Sequence, residues 1–106
     1  MSEYTASVVG GSGFTGGELL RLLDGHPAFR IEQATSRSYT GKSVGYVHPN
    51  LRHLDLRFTD PDELASVDVL FAATPHGVSM ERIDAFQAAA DTVVDLSADF
   101  RLPAVS

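Results

Sequence analysis

Glycines at positions 10, 13 and 16 recur every third residue in the run Val8-Val9-Gly10-Gly11-Ser12-Gly13-Phe14-Thr15-Gly16-Gly17-Glu18. Those at 11, 13 and 16 also satisfy G-x-G-x-x-G. An apolar stretch enters this turn and an amphipathic stretch leaves it. Without side chains in the way, the backbone can come close to a bound anion. The chemistry this suits is cradling of a pyrophosphate on the free N–H groups and positive dipole end of a helix. The contacts expected are Gly10, Ser12, Gly13, Phe14, Thr15 and Gly16.

A second group of polar side chains falls where the next strand should end, at Thr35-Ser36-Arg37-Ser38. NAD sites usually place an Asp or Glu there, about 20 residues after the glycines, to bind the ribose 2′-OH. Here the only nearby acid, Glu32, lies inside the strand and too early to reach a ribose. Hydroxyls beside a guanidinium suit a 2′-phosphate, which needs donors and positive charge. Thr35, Ser36 and Arg37 therefore point to NADP rather than NAD.

Two further segments should reach the same edge of the sheet. Ala73-Thr74-Pro75-His76-Gly77 follows an apolar strand, and its small residues and Pro let the chain turn close to a bound ring, with Thr74 and Pro75 as contacts. His76 can donate a hydrogen bond to a ligand or cap the turn. Ser97, Asp99 and Arg101 follow the last strand, either as a structural network or facing an anionic substrate, with Ser97 and Arg101 on the substrate side.

The elements that position these groups alternate. Tyr4–Val9 reads as a strand, Thr15–Leu23 as a helix closed by Gly25 and Pro27, and Phe29–Thr35 as a second strand. Residues 36–50 read as a long polar loop, of a length that often serves function. Leu54–Phe58 reads as a short strand. Asp60-Pro61-Asp62-Glu63 carries the N-cap, Pro and capping-box signals of a helix start. Val67–Ala73 is a strand apolar enough to be covered on both faces, interrupted only by Asp68. A helix over Ser79–Ala90 and a strand over Thr92–Leu96 follow. With right-handed crossovers this order predicts an α/β fold: one Rossmann-like, doubly wound parallel sheet over residues 1–106.

Composition sets the outer bounds. The chain has 106 residues, 43% hydrophobic and 21% charged, as an ordinary globular domain does. Its net charge is −6, and no basic stripe offers itself to nucleic acid. An acidic, Lys-poor surface fits a high-salt cytoplasm and fits ordinary mild acidity as well. No apolar run reaches the length of a membrane helix, and Met1-Ser2-Glu3 opens no signal peptide, so a cytoplasmic location is expected. The four histidines show no H-x-x-x-H pair, so no metal site is expected. Gly10 to Phe14 fails as a nucleophile elbow because Phe14 takes the place of the last glycine. There is no cysteine, which excludes disulfides and thiol nucleophiles within these residues.

Taken together, the segments at 9–19, 35–37, 73–79 and 95–102 resemble the amino-terminal half of the N-acetyl-γ-glutamyl-phosphate reductases, of the aspartate-semialdehyde dehydrogenase type. The stretch Asp95-Leu96-Ser97-Ala98-Asp99-Phe100-Arg101-Leu102 is the most specific, since the glycine turn alone would also suit nucleotide-sugar epimerases. Against the epimerases, no Tyr has a Lys four positions on, and Arg37 stands where their acid stands. The resemblance implies reductive dephosphorylation of an acyl phosphate in arginine or lysine biosynthesis. A cysteine thiolate displaces phosphate, and the resulting thioester is reduced at the expense of NADPH to the aldehyde. It also implies a homo-oligomeric full-length enzyme. The family's cysteine and an assisting histidine lie in its second half, so these residues are expected to be a cofactor-binding fragment, inert alone. Some members act on substrates attached to a small acidic amino-group carrier protein, which makes such a carrier a candidate partner besides a free acyl phosphate. The alternatives are a sensor module that binds NAD(P) without chemistry, or another semialdehyde dehydrogenase such as aspartate-semialdehyde dehydrogenase.

Overall fold

Two strands of this chain, at residues 4–9 and 67–72, are apolar along most of their length, as strands covered on both faces are. The computed structural model describes residues 4–74 and 81–96. Within them β1 (Tyr4–Val9), β2 (Phe29–Thr35), β3 (Phe58–Thr59), β4 (Val67–Ala72) and β5 (Ala90–Asp95) form one sheet in the order β3-β2-β1-β4-β5. Every pairing is parallel. The chain moves from β1 to β2 in one direction across the sheet and from β4 to β5 in the other. Right-handed crossovers then put their helices, α1 (Phe14–Asp24) and α3 (Ile83–Ala89), on opposite faces.

Side-chain alternation along β1 shows those two layers directly. Ala6 and Val8 pack with Leu20 and Leu23 of α1, together with Ala34, Val44, Leu51 and Phe58. Val9 faces the other way, with Leu70, Ala72 and Phe86 of α3. The doubly wound sheet expected from the sequence is therefore present. Asp68, the one charge in β4, sits below the start of the β1–β4 ladder. There its carboxylate accepts from the Thr5 N–H at 2.8 Å.

Ala90, expected to close the last helix, instead opens β5, and three larger local expectations change. The 36–50 segment is not loop throughout: Val44–Val47 forms a single turn, α2, capped by the Ser43 hydroxyl, and Pro49–Leu51 forms a 3₁₀ turn. The strand expected over Leu54–Phe58 shrinks to Phe58–Thr59, because Leu54 and Leu56 pack on the core without joining a ladder. The capping signals at Asp60–Glu63 make a turn rather than a helix. Asp60 still accepts from Asp62 N and Glu63 N, at 2.8 and 2.9 Å.

Gln33 accounts for that last difference. The β1–β2 register skips Glu32 between Ala6↔Ile31 and Ser7↔Gln33, and the bulge leaves the Gln33 side chain buried. Its amide donates to Glu63 O at 2.6 Å and to Thr59 Oγ1 at 2.7 Å, and its oxygen accepts from Ala65 N at 2.8 Å. Backbone groups that a helix would need are held by this one side chain. Gln33→Ala is expected to destabilise the fold by about 1–3 kcal/mol, since it removes three part-buried hydrogen bonds, to Thr59 Oγ1, Glu63 O and Ala65 N. Urea unfolding would read this, and a change below about 0.5 kcal/mol, the level of an ordinary surface substitution, would contradict it.

Candidate dinucleotide-binding site

In an open sheet of this order, ligands bind beyond the carboxyl ends of the strands where the chain reverses direction, between β1 and β4. The glycine turn lies there. Gly10 has φ +82, a conformation side chains rarely adopt, and a Cβ on it would stand 3.0 Å from Thr74 Cγ2 at the end of β4. A Cβ at Gly16 would overlap the Gly10 carbonyl oxygen and lie 2.7 Å from the Gly11 Cα, so α1 can close onto the turn only with glycine there.

Gly13 behaves differently. Its backbone is extended, with φ −79, and the nearest atom to a Cβ would be the Gly10 oxygen at 3.8 Å. The fold itself does not require glycine at 13, and the space a Cβ would take there lies open at the helix N-terminus. Gly13 caps α1 without a side-chain hydrogen bond, and no acid lies in the first turn. Among the described residues nothing accepts the N–H groups of Ser12, Phe14, Thr15 and Gly16. Four free donors at the positive end of an eleven-residue helix fit a pyrophosphate. The Phe14 side chain is 86% exposed, which leaves its backbone as the part that faces the turn.

Thr35 and Ser36 come to the same place, but their hydroxyls face the glycine turn. Both are buried. Thr35 Oγ1 accepts from Gly10 N at 3.4 Å, Thr35 O accepts from Gly11 N at 2.8 Å, and Ser36 Oγ donates to Ser12 Oγ at 2.8 Å. These two residues shape the turn. Arg37, directly after them, is exposed and has no ion-pair or hydrogen-bond partner among the described residues. Glu32 is engaged on Arg30 at 3.0 Å, away from the strand tip.

A crevice with about 320 Å³ of empty space opens beside the turn, lined by Val9, Gly10, Thr35, Ser36, Arg37, Pro61, Thr74 and Arg82. Arg82 has no counterpart among the residues expected from the sequence. It lies just before α3 and is held by the Pro61 carbonyl at 2.7 Å and by Asp62 at 3.6 Å. Two arginines thus line one crevice. No local pattern could have pointed to Arg82, because its place at the site depends on the β4–β5 crossover. Pro75, His76, Ser97 and Arg101 lie outside the described residues.

Among the described residues no cluster of His, Asp or Glu could hold a metal ion, and no helix is long and apolar enough to cross a membrane.

Sheet order and glycine turn together define a dinucleotide-binding α/β domain. The chain belongs to the family of semialdehyde dehydrogenase NAD-binding domains, whose model matches residues 5–105. Over 99 residues, 93% of the chain, it is 80% identical to a Haloarcula marismortui protein provisionally named LysW-L-2-aminoadipate/LysW-L-glutamate phosphate reductase, covering 29% of that protein. It is 47% identical over 107 residues to an N-acetyl-gamma-glutamyl-phosphate reductase of Methanosphaera stadtmanae, covering all of the chain and 31% of the relative. The chain therefore spans about three tenths of the length of these relatives. In fold it is similar to the aspartate semialdehyde dehydrogenase of Candida albicans, solved with NADP. The TM-score is 0.66 at 22% identity, over 95% of this chain and 31% of that one.

Proposed function

We propose that these residues form the NADP(H)-binding part of a cytoplasmic acyl-phosphate reductase that makes a semialdehyde in lysine or arginine biosynthesis. One observation carries the cofactor reading: four amides at the α1 N-terminus and the Arg37 side chain have no partner among the described residues, and Arg37 lines one crevice with Gly10 of the same turn. Gly10, Ser12, Gly13, Phe14, Thr15 and Gly16 hold the diphosphate, and Arg37 takes the 2′-phosphate. From their places in the sequence, Thr74 and Pro75 are assigned to the cofactor, and Ser97 and Arg101 to the substrate. When bound, the cofactor supplies the reducing equivalents that turn an acyl group into an aldehyde.

The names of the relatives support a glutamyl or aminoadipyl phosphate as substrate, carried on LysW or free as an N-acetyl derivative. The nucleophile must come from outside these residues, which contain no cysteine. The 106-residue chain alone is expected to be inert toward aldehyde, NADP and phosphate, and the complete enzyme to be a homo-oligomer.

Calorimetric titration with NADPH and with NADH tests the cofactor reading. Heat with NADPH and much weaker binding of NADH are expected. No heat and no melting shift at millimolar NADPH would contradict it.

A further inference from the structure

His48 does not line the crevice, yet it touches the glycine turn at Gly11. Its backbone is fixed on both sides: His48 N donates to Val44 O at 2.9 Å, and His48 O accepts from Leu51 N at 2.8 Å. The imidazole lies edge-on to Phe58, with ring centroids 6.4 Å apart. It also packs so closely on α1 that a Cβ at Gly17 would fall 2.8 Å from Nδ1 and 2.9 Å from Nε2. Nε2 stands 2.7 Å from the carbonyl oxygen of Gly11. A carbonyl only accepts, so Nε2 carries the proton and donates.

That contact fixes more than one atom. No described peptide bond is cis, and in a trans peptide the C=O and the following N–H point in opposite directions. With the Gly11 carbonyl held toward His48, the Ser12 N–H must face away from it. The Ser12 N–H is one of the four without an acceptor among the described residues. Its side chain is held separately, by Ser36.

We propose that His48 is a positioning residue for the cofactor diphosphate. By donating to the Gly11 carbonyl it sets the plane of the Gly11–Ser12 peptide and aims the Ser12 N–H at the phosphate. The inference rests on the NADP(H) reading above and adds to it a group that never touches the ligand.

The test compares His48→Met with His48→Gln, side chains of similar length of which only Gln can donate. Calorimetry measures NADPH and adenosine 2′-monophosphate, which carries the 2′-phosphate but no diphosphate, and thermal melting is followed in parallel. His48→Met should bind NADPH about tenfold more weakly than wild type, the scale of one lost hydrogen bond. His48→Gln should recover most of that loss. Adenosine 2′-monophosphate should bind all three proteins about equally. Should the Met variant fail to fold, His48→Phe keeps the ring against Gly17 and Phe58 and removes the donor, so the same loss is expected of it. Equal NADPH affinity in the Met and Gln variants would overturn the proposal, as would parallel losses for both ligands. A wild-type chain that binds no NADPH would overturn the cofactor reading with it, whereas normal binding by wild type and variants alike would sink the His48 role alone.

Discussion

Gly16→Ala should lower the melting temperature on the order of 10 °C and abolish NADPH binding. The added methyl would meet the Gly10 carbonyl group and the Gly11 Cα, which are backbone atoms and cannot rotate away. Overpacking of this kind typically costs about 1–3 kcal/mol, and for a domain of this size each kcal/mol moves the melting point by roughly 4–8 °C. Relief requires α1 to shift off the turn, which pulls the N–H groups of residues 14–16 out of register with any phosphate. Gly13→Ala makes the contrast, because its methyl meets nothing closer than 3.8 Å. It should melt like the wild type and still bind NADPH more weakly. Differential scanning calorimetry and a titration on both variants would show this. A Gly16→Ala protein with wild-type melting and binding would mean that the close approach of helix and turn is not needed.

Arg37→Ala is expected to weaken NADPH binding roughly ten- to a hundredfold, the effect of losing a charge-assisted contact worth about 1.5–3 kcal/mol. NADH, without a 2′-phosphate, should be little affected. Since Arg37 is exposed and makes no ion pair or hydrogen bond among the described residues, its removal should leave the melting temperature unchanged. Titration of the variant with both cofactors checks this. Equal losses for NADPH and NADH would mean that Arg37 acts on the turn and not on the 2′-phosphate.

The features legible in the sequence were those written in local order. The glycine spacing, the apolar strands and the stripe of α1 each announce themselves within a dozen residues. A doubly wound parallel sheet follows from handedness once the strands are known, whereas the order β3-β2-β1-β4-β5 shows only in the fold. Local order misled at Asp60–Glu63, where a sound helix start is overruled by Gln33, roughly thirty residues upstream. Thr35 and Ser36 belonged at the site, but composition could not say that their hydroxyls turn inward to Gly10 and Ser12. His48 lies 37 positions from Gly11 and Arg82 sits beyond two further strands, so only folding brings them to the turn.

In the proposed reading the α1 N-terminus and Arg37 together receive NADP(H). Backbone amide chemical shifts, followed by NMR as NADPH is added, test it most directly. The largest changes are predicted at Ser12, Gly13, Phe14, Thr15 and Gly16, with Arg37 moving for NADPH and hardly at all for NADH. Changes centred instead on the opposite end of the sheet, at the cavity lined by Leu23, Phe29, Ile31, Leu54 and Leu56, would contradict the account, and so would no change at saturating NADPH.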